Sequence, residues 1–368
     1  MRTVSFITNR PAMTGGFGPP PPCGTPEMLS FGAASLLASA DPAKPGQLAA
    51  PIATIGAVGC STPGSDPALV AFLTRILTEA VQAGRTPIVL VHGYSYAFPE
   101  AIVRAADVCA WLEAGDFPLA LAPIVFTWPS VNGLTPDNYL ADRSRAEASA
   151  NAFSRFILAY AAAWQTCRQP RSLYLAHSMG TWVTQTGMRA LASMSGTPPA
   201  TLFEQAVVIG GDADTNAAEP GQGLDQLARV AEWLTIGVNR TDFATGVTSA
   251  DILKRPRLGS SGPASIVRLP DNARIVDYTL AIAADQNPIP PGETTWNFKL
   301  HQYYRTIPAV RDDLGAILSG GAPDDIDNRI ASDALKQSGT PGVRPGRLYV
   351  QPNQVDPAPD LDIPERRG

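Results

Sequence analysis

The sequence predicts an α/β fold, a mainly parallel sheet with helices on both faces. Three observations predict it. Continuous apolar runs such as Pro87 to Val91 and Pro123 to Thr127 read as strands buried on both sides. Stretches with apolar residues at helical spacing lie between such runs. The two alternate along most of the chain, as βαβ units require.

In chain order, Thr3 to Thr8 is a short β-type run, followed from Gly15 to Gly24 by a Gly/Pro loop with four consecutive prolines. Ile52 to Val58 reads as a second strand. Pro67 to Ala83 carries Leu69, Phe72, Leu73, Ile76 and Leu77 on one helical face. After the strand at Pro87 to Val91, a helix is expected from Phe98 to Ala114, with Ile102, Ala105, Ala106, Cys109 and Leu112 inward. The strand Pro123 to Thr127 follows. One long helix is expected from Asp137 to Thr166, with Phe153, Phe156, Ile157, Tyr160 and Trp164 on a single stripe. Leu173 to Ala176 is a strand and Gly180 to Ser193 a helix. Gln205 to Ile209, Trp233 to Val238 and Arg274 to Ala281 complete the strands. Residues 211–229 read either as a lid or as a plain crossover. Residues 1–340 are expected to form one domain. Residues 341–368, rich in Pro, Asp and Arg, are expected to be a loosely attached tail.

Composition excludes several classes. The net charge of −5 carries no basic stripe of the kind nucleic acid needs. No run of 18 apolar residues is present, so no membrane span is expected. The N-terminus lacks the basic start and apolar middle of a signal peptide, and the expected location is cytoplasmic. Cys23, Cys60, Cys109 and Cys167 show no paired spacing and read as free thiols or core filler. No phosphate loop, dinucleotide fingerprint or HExxH motif appears. Three scattered histidines suggest no metal site, and neither metal nor cofactor is expected.

The chemistry-bearing feature is Ala176-His177-Ser178-Met179-Gly180, which closes one buried strand and opens a helix. A nucleophile elbow needs this arrangement, with small residues two before and two after the serine. Only Ser178 among the serines has Gly or Ala at −2 and Gly at +2. A serine hydroxyl needs a base. His177 adjoins the serine, where its side chain points away, and His92 ends an earlier strand. His301, after the last expected strand, is therefore the candidate. The acid that orients it should fall between the two in the chain. Asp242 is preferred, with Asp212 and Asp214 as alternatives. The oxyanion needs two backbone N–H donors. Met179 is one candidate and Tyr94, in His92-Gly93-Tyr94, the other. His92, Gly93, Trp128 and Tyr303 are candidates to line a substrate pocket, with Phe126 assigned to the core.

In these motifs and several others, the chain resembles a bacterial α/β-hydrolase family catalogued as a domain of unknown function. The resemblance runs from about residue 3 to 310. It rests on Thr8-Asn-Arg10, Val91-His-Gly-Tyr94, Phe126-Thr-Trp-Pro-Ser130, Tyr139-Leu-Ala-Asp142 and Ala176-His-Ser-Met-Gly180. It continues in Asn239-Arg-Thr-Asp242, Arg257-Leu-Gly259 with Gly262-Pro263, and His301-Gln-Tyr-Tyr304. The resemblance implies an α/β-hydrolase fold, a triad of Ser178, Asp242 and His301, and esterase-like chemistry. The expected activity is cleavage of a small-molecule, lipid or polymeric carboxylic ester. The alternatives are an amidase or acyltransferase using the same residues, and a non-catalytic binding protein on a hydrolase fold.

Overall fold

The computed structural model describes residues 1–13, 16–18, 28–59, 66–131, 133–194, 201–326, 329–331 and 348–350. Its frame is one large sheet. The strands are β1 (Arg2–Thr8), β2 (Met28–Leu37), β3 (Ala53–Gly59), β4 (Thr86–Val91), β5 (Leu121–Thr127), β6 (Leu173–His177), β7 (Phe203–Ile209), β8 (Ala231–Val238), β9 (Ala273–Asp277) and β10 (Leu348–Val350). Across the sheet they run β10-β9-β8-β7-β6-β4-β5-β1-β2. Every neighbouring pair from β10 to β1 is parallel, and β2 returns antiparallel to β1. Short edge pieces extend it: β3 and Gln47–Leu48 pair with β2, and Ile330–Ala331 pairs with β10.

The central strands are apolar on both sides because both sides are covered. Alternate side chains of a strand point to opposite faces. On β4, Val89 and Val91 enter one core and Ile88 and Leu90 the other. On β6, Tyr174 and Ala176 enter the first and Leu173 and Leu175 the second. The first core is closed by α1 (Pro67–Gln82), α4 (Ala150–Thr166) and α5 (Gly180–Ser193). The second is closed by α2 (Phe98–Glu113) and a late helix, Pro308–Leu318. Among the described residues no helix is long and apolar enough to cross a membrane.

The strand order reverses beside β4, which lies between β5 on one side and β6 on the other. Loops leaving β4 and β6 at their carboxyl ends therefore diverge and leave a crevice. In open parallel sheets ligands bind at this point. The loop after β4 carries Gly93, and the turn after β6 carries Ser178.

Several expectations are corrected. The strand β2 was not anticipated; its Gly, Ala and Ser content hides the β pattern. The single helix expected from 137 to 166 is two, α3 (Pro136–Ala148) and α4, joined at Ser149. There ψ flattens to −4°. The Ser149 hydroxyl donates back to the Arg145 carbonyl at 2.8 Å, a bond that bends helices. Asn9 Nδ2 donates to the same hydroxyl oxygen at 2.8 Å and fixes the joint to the end of β1. The strand expected to run to Ala281 stops at Asp277, and Thr279–Ala283 is helical. It is also not the last, since β10 pairs beyond it. The rest of the expected tail, most of the Gly/Pro loop at 15–24, Cys23 and Cys60 lie outside the described residues. Cys109 and Cys167 are free thiols.

Phe156 stacks on Phe126 at 5.7 Å between ring centroids and meets Tyr160 edge-on at 6.0 Å. It is fully buried. Phe156→Ala should therefore lower stability by about 3–5 kcal/mol, read as an earlier urea midpoint with an unchanged slope.

Candidate active site

Ser178 occupies the turn between β6 and α5 with φ of 54°, in the left-handed region. Such a turn works only if its flanks are small. A Cβ on Gly180 would stand 2.4 Å from the Val91 carbonyl oxygen and 2.7 Å from that of His92. Ala176 is fully buried. The turn is held from several sides. Ser178 N–H donates to the Ile209 carbonyl at 3.2 Å, and the Ser178 carbonyl accepts from Asp212 N–H at 3.0 Å and from the Thr181 hydroxyl at 2.7 Å.

The structure brings His301 and Asp242 to this serine. His301 Nε2 lies 3.0 Å from Ser178 Oγ, and His301 Nδ1 lies 2.8 Å from Asp242 Oδ2. Asp242 is buried, and its Oδ1 accepts the N–H groups of Ala244 at 2.9 Å and Thr245 at 3.2 Å. With Nδ1–H donated to the carboxylate, Nε2 is left bare and faces the hydroxyl. Burial pulls the His301 pKa down, but the Asp242 charge and its hydrogen bond outweigh this, and the net direction is above 6.5. Asp212 and Asp214, the alternative acids, are engaged elsewhere. Asp212 accepts from Tyr139 Oη at 2.7 Å, Arg257 Nε at 2.9 Å and the Ser249 hydroxyl, with Arg143 Nη1 at 3.4 Å. Asp214 pairs with Arg257 Nη1 at 2.7 Å and Arg255 Nε at 3.4 Å.

Two main-chain anchors set the His301 segment. Asn239 Nδ2 donates to the Leu300 carbonyl at 2.7 Å. His177 Nε2–H donates to the His301 carbonyl at 3.1 Å. As residue 177, this histidine shares the strand face of Leu173 and Leu175, and its ring stacks on Tyr304 at 4.3 Å between centroids. Burial, then the adjacent His301, pushes its pKa well below 6.5, so it stays neutral.

Gly93 passes close over the serine: a Cβ there would stand 2.9 Å from Ser178 Cβ. His92 fixes that backbone. Its Nδ1–H donates to the Gly93 carbonyl at 2.8 Å, and its Nε2 accepts from the Thr127 hydroxyl at 3.2 Å. Burial and the charge of Arg10 push the His92 pKa down to about 3, which keeps the ring in this neutral form. Arg10 donates to Thr127 Oγ1 at 3.0 Å, to the Ser130 carbonyl at 2.8 Å and to the Tyr96 carbonyl at 2.8 Å. The guanidinium thus ties the loops after β4 and β5 together. Ser130 Oγ in turn donates to Asp142 at 2.7 Å.

Above the serine lies a cavity of about 250 Å³. Gly93 and Tyr94 line it, as do Ser178, His301 and Asp212. Three other expected wall residues do not. Trp128 is fully buried in the first core, stacked on His92 with Nε1–H donated to the His92 carbonyl at 2.9 Å. His92 lies beneath the Gly93 loop. Tyr303 is fully buried, and its hydroxyl takes the Gly210 N–H at 3.0 Å. The walls come instead from residues not expected there, chiefly Tyr96, Phe243 and Trp296, with Tyr139 and Gln302, known from the sequence only as motif residues. Of residues 211–229 only Asp212 reaches the cavity; Ala213, Ala217, Leu224 and Leu227 are buried in the core, so the segment is a crossover. Among the described residues no group of three or more His, Cys, Asp or Glu gathers as metal ligands would.

A parallel sheet that reverses beside an elbow, with helices on both faces, defines an α/β hydrolase. The chain belongs to the family described as alpha/beta hydrolase of unknown function (DUF900), whose family model matches residues 72–278, more than half of the chain. Ser178 and Asp242 fall inside the matched span and His301 beyond it. No significant match is found among curated proteins.

Asp212→Ala would remove the buried carboxylate of the two that Arg143 and Arg257 share, leaving the more exposed Asp214. It should destabilise the protein by about 3–5 kcal/mol, measured by chemical denaturation, with Asp214→Ala, at a more exposed site, losing less.

Proposed function

We propose that the protein is a serine hydrolase that cleaves carboxylic esters through an acyl-enzyme. The observation that carries this reading is the unbroken path Asp242–His301–Ser178, with steps of 2.8 and 3.0 Å, ending at the cavity. Ser178 Oγ attacks the ester carbonyl while His301 Nε2 takes its proton. Asp242 keeps the proton on Nδ1 and stabilises the imidazolium. The negative oxygen is held by the backbone N–H groups of Met179, at the start of α5, and Tyr94. Neither N–H donates to protein groups among the described residues. His301 then protonates the departing alcohol, and water, activated by the same imidazole, releases the acid. The cavity, about 250 Å³, sits at the lower end of small-molecule sites. This size supports short acyl groups over long-chain lipids and polymers.

Assay with p-nitrophenyl butyrate tests the reading. Ser178→Ala and His301→Ala should each lower kcat by about 10⁴ or more, and a fluorophosphonate probe should label wild type but not Ser178→Ala. Equal rates for wild type and Ser178→Ala would overturn it.

The pH dependence follows from His301. Only the neutral imidazole accepts the serine proton, so kcat/KM should fall as pH drops through the His301 pKa. That limb should be centred above pH 6.5, because the net shift is upward. Asp242→Asn removes the charge that raises it. The limb should then move to lower pH while kcat drops by about 10⁴.

A further inference from the structure

Part of the cavity wall is formed by Tyr96 and Gln302. Packed against them are two guanidiniums. Arg305 Nε donates to Gln302 Oε1 at 3.0 Å, and the Arg104 guanidinium lies 5.7 Å from the centre of the Tyr96 ring. Arg305 is buried and Arg104 half-buried. Arg104 Nε has no hydrogen-bond partner among the described residues.

Neither guanidinium forms an ion pair with a carboxylate among the described residues. Asp107 and Glu293 reach them only as more distant charges, and Asp107 is occupied by the N–H groups of Ser39 and Gly46. The acids nearer the serine are spoken for: Asp242 holds His301, and Asp212 and Asp214 face Arg143 and Arg257. A third buried cation, Arg10, donates to the Tyr96 carbonyl. Burial opposes ionisation of the Tyr96 phenol, but Arg104 and Arg305 outweigh it and pull its pKa below 10. Burial and then the like charge of Arg104 disfavour the Arg305 cation, while the Tyr96 and Tyr304 oxygens favour that of Arg104, so the unbalanced charge of the pair rests on buried Arg305. The fold keeps both cations, and it keeps them beside a wall that a soluble anion can reach through the cavity.

We propose that this stretch of wall is an anion subsite, and that the ester cleaved at Ser178 carries a carboxylate held by the Tyr96 hydroxyl and the Gln302 amide in the field of Arg104 and Arg305. The proposal rests on the hydrolase reading above and names its substrate class.

Two matched pairs of esters test it. Mono-(4-nitrophenyl) adipate against 4-nitrophenyl hexanoate places the charge on the acyl side; 4-acetoxybenzoate against phenyl acetate places it on the leaving group. In at least one pair kcat/KM should favour the anionic member by about tenfold or more, the size of one charge-assisted hydrogen bond. The ratio should collapse towards one in Arg305→Met and Arg104→Met and survive in Arg305→Lys. Tyr96→Phe gives the same reading if the methionine variants do not fold. Independently of turnover, adipate should raise the Tm of Ser178→Ala, and Arg305→Met in that background should abolish the rise. Ratios within about twofold in both pairs, with Ser178 still labelled by fluorophosphonate, overturn the subsite and leave the hydrolase reading standing. Absence of both labelling and turnover overturns the hydrolase reading, and the adipate titration then decides the anion site alone.

Discussion

A single left-handed residue governs this architecture. Ser178 leaves β6 with a positive φ, a conformation that costs of order 1 kcal/mol or more for a non-glycine residue. It persists because the surroundings permit nothing else. The start of α5 must approach the backbone of β4 so closely that only a glycine fits at position 180, and the loop after β4 must pass so near the serine that only a glycine fits at 93. The reversal of strand order beside β4 then leaves a crevice above the turn. The strained residue is presented where the sheet has room for a ligand.

The polar residues away from the serine build a platform for it. Arg10, Thr127 and His92 form a buried chain that ends on the Gly93 carbonyl. Asp212 gathers Tyr139, Arg143, Ser249 and Arg257 along another side. Both networks are buried, and both tie a loop to an element: Asp212, after β7, to α3 through Tyr139 and Arg143, and the Gly93 loop to the end of β5 through His92 and Thr127. The loops after β4, β5 and β7 are therefore fixed by side chains drawn from distant parts of the chain.

Much of the fold was legible because its signals are local. The apolar runs of β4 to β8 and the helix from Gly180 to Ser193 need only neighbouring residues to be recognised. The strand β2 was not legible: Gly32, Ala33, Ala34 and Ser35 carry no β preference, and that strand exists because β1 and β3 pair with it. The joint at Ser149 was hidden for a similar reason, since Asn9 reaches it from 140 residues away. At the site, the serine was readable from its small neighbours and His301 from the scarcity of histidines. The cavity walls were not. Trp128 and Tyr303 look like pocket residues by position, yet their polar atoms are spent on backbone partners in the core. Tyr96 and Trp296 carry no spacing signal, because a wall is made by loops that meet only after folding.

The bond from His177 to the carbonyl of His301 has a mechanical consequence. His177, the residue preceding Ser178, grips the main chain of His301. Ser178 and His301, more than a hundred positions apart in the polypeptide, are thereby both attached to one strand end. A displacement of that strand end is therefore passed to both residues rather than to one, which favours keeping their 3.0 Å separation.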